Sequence, residues 1–287
     1  MKKQIVALLC LANFAGLAAP DFSVSVGGTD VAIPVPAGFA PVVPEMKTLN
    51  KMLDAASYGE NERLGHLIPE GEATLALANE IPEMARSFSI QTPKKDRTLT
   101  KKDFQNLAME MVKQNLQLIA KLDKEMPGYL EKVNTKMKAA LDADMKFQNL
   151  TLAPLPPHQQ EERALAYSMF MTMQSAGGPI RIAGTTTILY VKAKLLFLYA
   201  YAPEKELAWT REISRQWAAD ILSKNPSSPE LAKMEEHGPS GWRGPQSTIL
   251  RNALIGAIIG GLIGALRGFS RKKKNSKVAG ANPPNQP

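Results

Sequence analysis

Read for the spacing of its apolar positions, the chain divides into short alternating runs, longer helical stripes and one stretch with no polar face. Residues 20–44 are rich in Gly, Pro and Val. Within them Val31-Ala32-Ile33-Pro34-Val35-Pro36 predicts an extended edge strand or a polyproline-like entry, because proline is tolerated in sheets only at edges. Met46, Leu49, Leu53 and Ala56 recur at helical spacing and predict a short amphipathic helix over Glu45 to Ala56. Strands are predicted over Arg63 to Pro69 and Ala85 to Thr92. In the second, Phe88 and Ile90 alternate with Ser87 and Ser89, the pattern of a half-buried strand.

Thr100, with Asp103 three residues on, makes a capping-box-like start. The stripe Phe104, Leu107, Met111, Leu118 and Leu122 follows, and Pro127-Gly128 predicts its end. A second stripe of Leu130, Val133, Met137 and Leu141 predicts a helix from Tyr129 to Phe147, so the pair reads as an antiparallel helical hairpin. After Pro154, Pro156 and Pro157, Ala166 to Gln174 carries Met169, Met171 and Met173 on one face of a strand. Thr185 to Val191 and Leu195 to Ala202, joined at Lys192-Ala193-Lys194, read as a β-hairpin of β-branched and aromatic residues. Glu204 to Lys224 closes the body as a helix with Trp209, Ile213, Trp217 and Ile221 in one stripe, stopped by Asn225-Pro226. The simplest role for both the tryptophan stripe and the methionine strand is core packing.

The stretch without a polar face lies near the C-terminus. Ala253-Leu254-Ile255-Gly256, Ala257-Ile258-Ile259-Gly260, Gly261-Leu262-Ile263-Gly264 and Ala265-Leu266-Arg267-Gly268 repeat one formula: small, bulky, variable, Gly. Each glycine costs a water-exposed helix about 1 kcal/mol relative to Ala, so isolated helicity in water is disfavoured. In a bilayer the backbone must bond to itself, and small residues four apart let a second helix come close. Thr248 to Phe269 is long enough to span if Arg251 and Arg267 snorkel to opposite interfaces, with interfacial or re-entrant insertion and a soluble buried helix as the alternatives. The segment resembles the glycine-zipper helices of bacterial membrane proteins over under a tenth of the chain, with Gly256, Gly260, Gly264 and Gly268 at the matching spacing. That resemblance implies close helix–helix packing and a homo-oligomer. Arg267 limits the zipper to about three turns.

The N-terminus adds an address. Lys2 and Lys3, an apolar run from Ile5 to Leu17 broken by Asn13, and then small residues form a secretory signal, with cleavage expected after Ala18. The only cysteine, Cys10, lies inside it, so the mature chain has no thiol and no disulfide. Net charge is +8, but the excess sits at the ends. Setting aside the two signal lysines and six basic residues after Leu266 leaves 27 basic residues against 27 acidic ones. A neutral body without a basic and aromatic stripe argues against nucleic acid as a partner. Arg271, Lys272, Lys273 and Lys274 follow the apolar segment and predict a cytoplasmic tail, since positive flanks stay inside.

Candidate chemistry is thin. His158-Gln159-Gln160-Glu161-Glu162 lacks the second His of an inverted zinc-protease motif and reads as a solvated helix start. Gly178 to Thr185 lacks the lysine and spacing of a phosphate loop and reads as a hairpin turn. Ser270 and Lys273 match a Ser-x-x-Lys pattern within a tail that lacks the fold such a serine needs. His66 and His237 have no ligand-spaced neighbours. No catalytic residue, cofactor or metal site is expected.

The sequence therefore predicts an α+β protein, an antiparallel sheet packed with helices plus one C-terminal transmembrane helix. Its parts are a signal peptide (1–18), an exported domain (19–224), a linker (225–247), the glycine-zipper helix (248–269) and a basic, disordered tail (270–287). In architecture this order resembles the exported sheet-and-helix domains of the PsbP-like kind, with no shared motif, and so implies no function. The expected role is non-catalytic, structural or interacting, at the bacterial inner membrane with the main domain periplasmic. A membrane-anchored periplasmic enzyme and an oligomeric pore component are the alternatives.

Overall fold

The computed structural model describes residues 21–57, 60–95, 98–141, 147–175, 178–238 and 246–264. The chain begins with β1 (Phe22–Val26), β2 (Thr29–Ile33), β3 (Phe39–Pro41), α1 (Lys47–Ala56), β4 (Asn61–Pro69), α2 (Ala73–Leu77) and β5 (Ser87–Pro93). The middle holds α3 (Lys101–Leu141), β6 (Gln148–Pro154), β7 (Gln159–Gln160) and β8 (Ala164–Ser175). It closes with β9 (Gly178–Val191), β10 (Lys194–Pro203), α4 (Leu207–Lys224), α5 (Pro229–His237) and α6 (Gln246–Gly264).

Eight of the strands form one antiparallel sheet in the order β3-β4-β5-β10-β9-β8-β6, with β7 paired to β8 beside β6. Its centre is the predicted hairpin, β9 against β10 from Val191↔Lys194 to Ile182↔Pro203. The turn is two residues rather than three. Lys192 and Ala193 both hold positive φ, at 48° and 60°, which matches the twist of the flanking strands.

Both faces of this sheet are covered, so its central strands are buried from Ile182 to Val191 in β9 and from Lys194 to Ala202 in β10. One face carries β1, β2 and α4, closed by Trp217, which sits edge-on to Phe88 and donates from Nε1 to the Pro34 carbonyl at 2.8 Å. The other carries α1, α3 and α6 around the three strand methionines, Met169, Met171 and Met173. Double coverage corrects the expectation for residues 85–92. Ser87 to Thr92 are all buried, because the serine face meets helices rather than water.

The expected helical hairpin is also corrected. Residues 101–141 form one continuous helix, with Pro127 inside it and the Thr100–Asp103 capping pair at its start. An interior proline costs about 3 kcal/mol. Met126, Leu130, Val133 and Met137 are buried on the same core as Phe104, Leu107 and Met111, and that shared burial offsets the loss. Gly128 sits in this helix with nothing within 4 Å of where a Cβ would stand. Gly128→Ala is therefore expected to raise stability by about 0.5–1 kcal/mol. Equal or lower stability in urea titration would contradict this placement.

Two further local expectations change. His158 to Glu162 does not begin a helix, since Gln159 and Gln160 pair with β8 as β7. Gly178 to Thr185 is strand rather than turn, because β8 and β9 pair as far as Ser175↔Gly178. The stretch read as a linker, 225–247, contains α5, and α5 is anchored. Glu235 is buried, accepts hydrogen bonds from Arg163 and Ser227, and takes the Ala193 amide at the β9–β10 turn.

Candidate functional site

The glycine-bearing helix α6 lies on the sheet. Seven consecutive residues, Asn252 to Ile258, are buried, and they cover every side of the helix across nearly two turns. A helix without a solvent face belongs in a protein core or in lipid. Here its neighbours are β5, β8, β9 and β10 below and α1 and α3 beside it.

The floor under α6 is polar for so central a place. Following the registers from strand to strand, His66 stands across from Ser89, Ser89 from Tyr199, Tyr199 from Thr186 and Thr186 from Tyr167. The neighbouring row sets Ser87 across from Tyr201. Strand alternation sends all of these side chains to one face, the face that carries α6. Tyr199 and Tyr201 stack at 6.3 Å between ring centroids.

Three floor residues hold the helix by its backbone. Tyr199 donates to the Ala253 carbonyl at 3.1 Å, Tyr201 to the Gly256 carbonyl at 3.3 Å, and Asn61 to the Asn252 carbonyl at 2.9 Å. Asn61 also donates to Gln91 Oε1 at 2.9 Å. At the rim, Arg251 reaches Glu125 with Nε at 3.1 Å and Nη2 at 2.7 Å.

Glycine is required for this approach. A Cβ at Gly256 would run into the Tyr199 hydroxyl and lie 2.8 Å from Gln91 Oε1. A Cβ at Gly261 would lie 2.5 Å from the Met171 sulfur, and Met171 Cε in turn sits 2.8 Å from where a Cβ on Gly184 would stand. The small-residue rule for close helix packing thus operates here between a helix and its own sheet.

Several floor atoms have no hydrogen-bond partner: both ring nitrogens of His66, Ser87 Oγ, Asn61 Oδ1 and, on the helix, Asn252 Oδ1. Burial, aided by the Arg63 charge, lowers the His66 pKa to about 3, so the ring is neutral. Burial likewise raises the Tyr199 and Tyr167 phenols above the usual tyrosine range. At neutral pH these floor groups carry no charge.

His66 makes the seat sensitive to acid. In the unfolded chain its imidazole takes a proton near pH 6.5, but in the folded protein only near pH 3. The unfolded state binds more protons between these values. The stability is therefore complete above pH 6.5 and is lost as pH falls toward 3. Through this residue the protein is expected to lose about 2 kcal/mol between pH 7 and pH 5. His66→Leu should remove that part of the slope in urea unfolding at the two pH values, and an unchanged slope would refute the assignment.

The opposite face holds a second polar group. Ser168 Oγ lies 2.9 Å from Thr185 Oγ1, which lies 2.8 Å from Thr210 Oγ1. Arg211 Nε donates to Ser168 at 3.2 Å, and His158 Nδ1 stands at 3.5 Å. Desolvation, then Arg211, holds His158 below the usual imidazole range. Ser168 is fully buried and engaged by these neighbours, so it offers a substrate no nucleophile. Among the described residues no three His, Cys, Asp or Glu side chains gather as metal ligands.

Of the residues singled out in the sequence, Gly256 lies at the heart of the groove. Gly260 and Gly264 lie on α6. Gly268, Arg271, Lys272, Lys273 and Lys274 lie outside the described residues, as do the signal segment and Ser270. The span expected over 248–269 is not found among the described residues. There α6 is described as far as Gly264, residues 265–269 lying outside, and no helix is long and apolar enough to cross a membrane. Sequence reasoning missed the floor, although a signal was present: Ser87, Ser89 and Gln91 share one alternation, and so do Tyr199 and Tyr201. No protein-family model matches the chain, and no curated protein matches it either.

Proposed function

We propose that this chain is an exported, non-catalytic structural or interaction protein of the bacterial envelope, tethered to the inner membrane through its C-terminal segment. The observation that carries the proposal is the burial of α6 on every side from Asn252 to Ile258. Such a helix tolerates lipid as well as protein and does not tolerate water. The charge pattern supports the same address. No acidic residue occurs from Gln246 to the C-terminus, whereas Arg251, Arg267, Arg271, Lys272, Lys273, Lys274 and Lys277 do. Basic residues beside an apolar segment are held on the cytoplasmic side and attracted to anionic lipid.

Self-association belongs to the same proposal with one condition. Gly256 faces Tyr199 inside the domain, so a zipper between copies uses it only when α6 has left the sheet. Fractionation of cells carrying a tag at each end, with protease shaving of spheroplasts, tests the address. The expected result is a membrane-bound chain that survives a high-salt wash, with the domain digested and the C-terminal tag protected. Recovery of the intact mature chain in the soluble fraction would overturn it.

A further inference from the structure

Resting on that membrane reading, we propose that α6 is a lipid-binding segment stored in the groove, which leaves the sheet to enter an anionic bilayer. Three features of the groove point this way. The apolar stretch Ala253 to Ile258 rests on a mixed seat, in which Asn61, Gln91 and the Tyr199 and Tyr201 hydroxyls lie among apolar groups such as Met171. On the sheet face that carries α6, the His66 ring nitrogens, Ser87 Oγ and Asn61 Oδ1 are buried without partners, as is Asn252 Oδ1 on the helix. Asn61 Oδ1, on the sheet at the contact with the helix, regains a hydrogen bond with water once the groove opens. The seat is complementary in shape and deficient in bonding.

The hold on the helix is of a kind that release does not damage. Asn61, Tyr199 and Tyr201 donate to backbone carbonyls of α6, the oxygens that a helix bonds internally. Leaving the groove therefore costs α6 these three side-chain bonds but none of its intrahelical ones, which is the condition for entering lipid. The rim ion pair Arg251–Glu125 opens at the same time. Arg251 then joins the basic residues that follow the helix, whose attraction to an anionic surface favours the released state.

A reversible lock tests the proposal. In a Cys10→Ser background, Glu125→Cys and Arg251→Cys place two thiols at the rim pair. A short bis-methanethiosulfonate crosslinker, which forms a disulfide to each thiol with loss of methanesulfinate and is cleaved by reductant, then pins α6 to α3 in the full-length protein, with each single-cysteine variant as a control. Flotation with vesicles of phosphatidylethanolamine and phosphatidylglycerol is measured at low salt and at about 1 M salt, where the Debye length is about 3 Å and tail attraction is screened. The expected result is a high-salt-resistant bound fraction at least about tenfold lower in the locked protein, restored when the crosslink is cleaved. Equal salt-resistant binding by locked and unlocked protein would overturn release while leaving the membrane tether standing. Binding by both forms at low salt only would overturn release and assign the contact to the tail. No binding by either form would overturn the tether as well.

Discussion

Gly256→Leu is expected to unseat α6. The added side chain points at the Tyr199 hydroxyl and the Gln91 carboxamide, and both belong to packed central strands that cannot retreat. Losing the seat exposes Leu254, Ile255 and Ile258, each worth about 1.5–3 kcal/mol when buried, so the loss is on the order of 5 kcal/mol. The thermal midpoint should fall by about 10 °C or more. Limited proteolysis should cut within α6 while the sheet survives. Gly261→Ala is expected to cost less, because the atoms it meets are the flexible end of Met171. Gly128→Ala, with open space around it, should change stability in the opposite direction. A Gly256→Leu protein with wild-type stability and a protease-resistant α6 would remove the groove from this account.

Trp217→Ala is the second large effect, on the other face. Trp217 is 2% exposed and lies at 5.0 Å from Phe88 between ring centroids, while its indole nitrogen is bonded to Pro34 O. Truncation removes the largest fully buried side chain of that face, leaves a cavity and strands the Pro34 carbonyl. The expected cost is about 3–5 kcal/mol. Trp217→Phe keeps most of the volume and loses only the donor, so about 1–2 kcal/mol is expected for it. Calorimetry of the two variants checks both figures. Similar losses in the two would mean that the hydrogen bond, rather than the volume, closes this face.

Much of the secondary structure was legible along the chain. The β9–β10 hairpin, the methionine face of β8, α1, the capped start of α3 and α4 with its tryptophans follow from periodicity and capping, which are local properties. Three errors share one cause, that spacing does not report what lies opposite. Pro127 is a stop signal by itself, yet the stripes on either side of it seat on one core and carry the helix through. Ser87 and Ser89 alternate as if facing water, but α6 covers them. The 225–247 stretch has linker composition, yet Glu235 inside it is buried against Arg163 and the β9–β10 turn.

The candidate site was half legible. Sequence alone determined that residues 253–264 form an apolar segment with small residues at every fourth position and need a dry, close partner, because glycine and isoleucine together suit neither water nor a loose interface. Tertiary structure alone decided that the partner is the chain's own sheet. Tyr199, Tyr201 and Asn61 lie some fifty to two hundred residues from the carbonyls they bond, a separation only the strand order closes. A glycine stripe states how near another surface must come. Which surface it is depends on long-range strand pairing, and no local pattern encodes that.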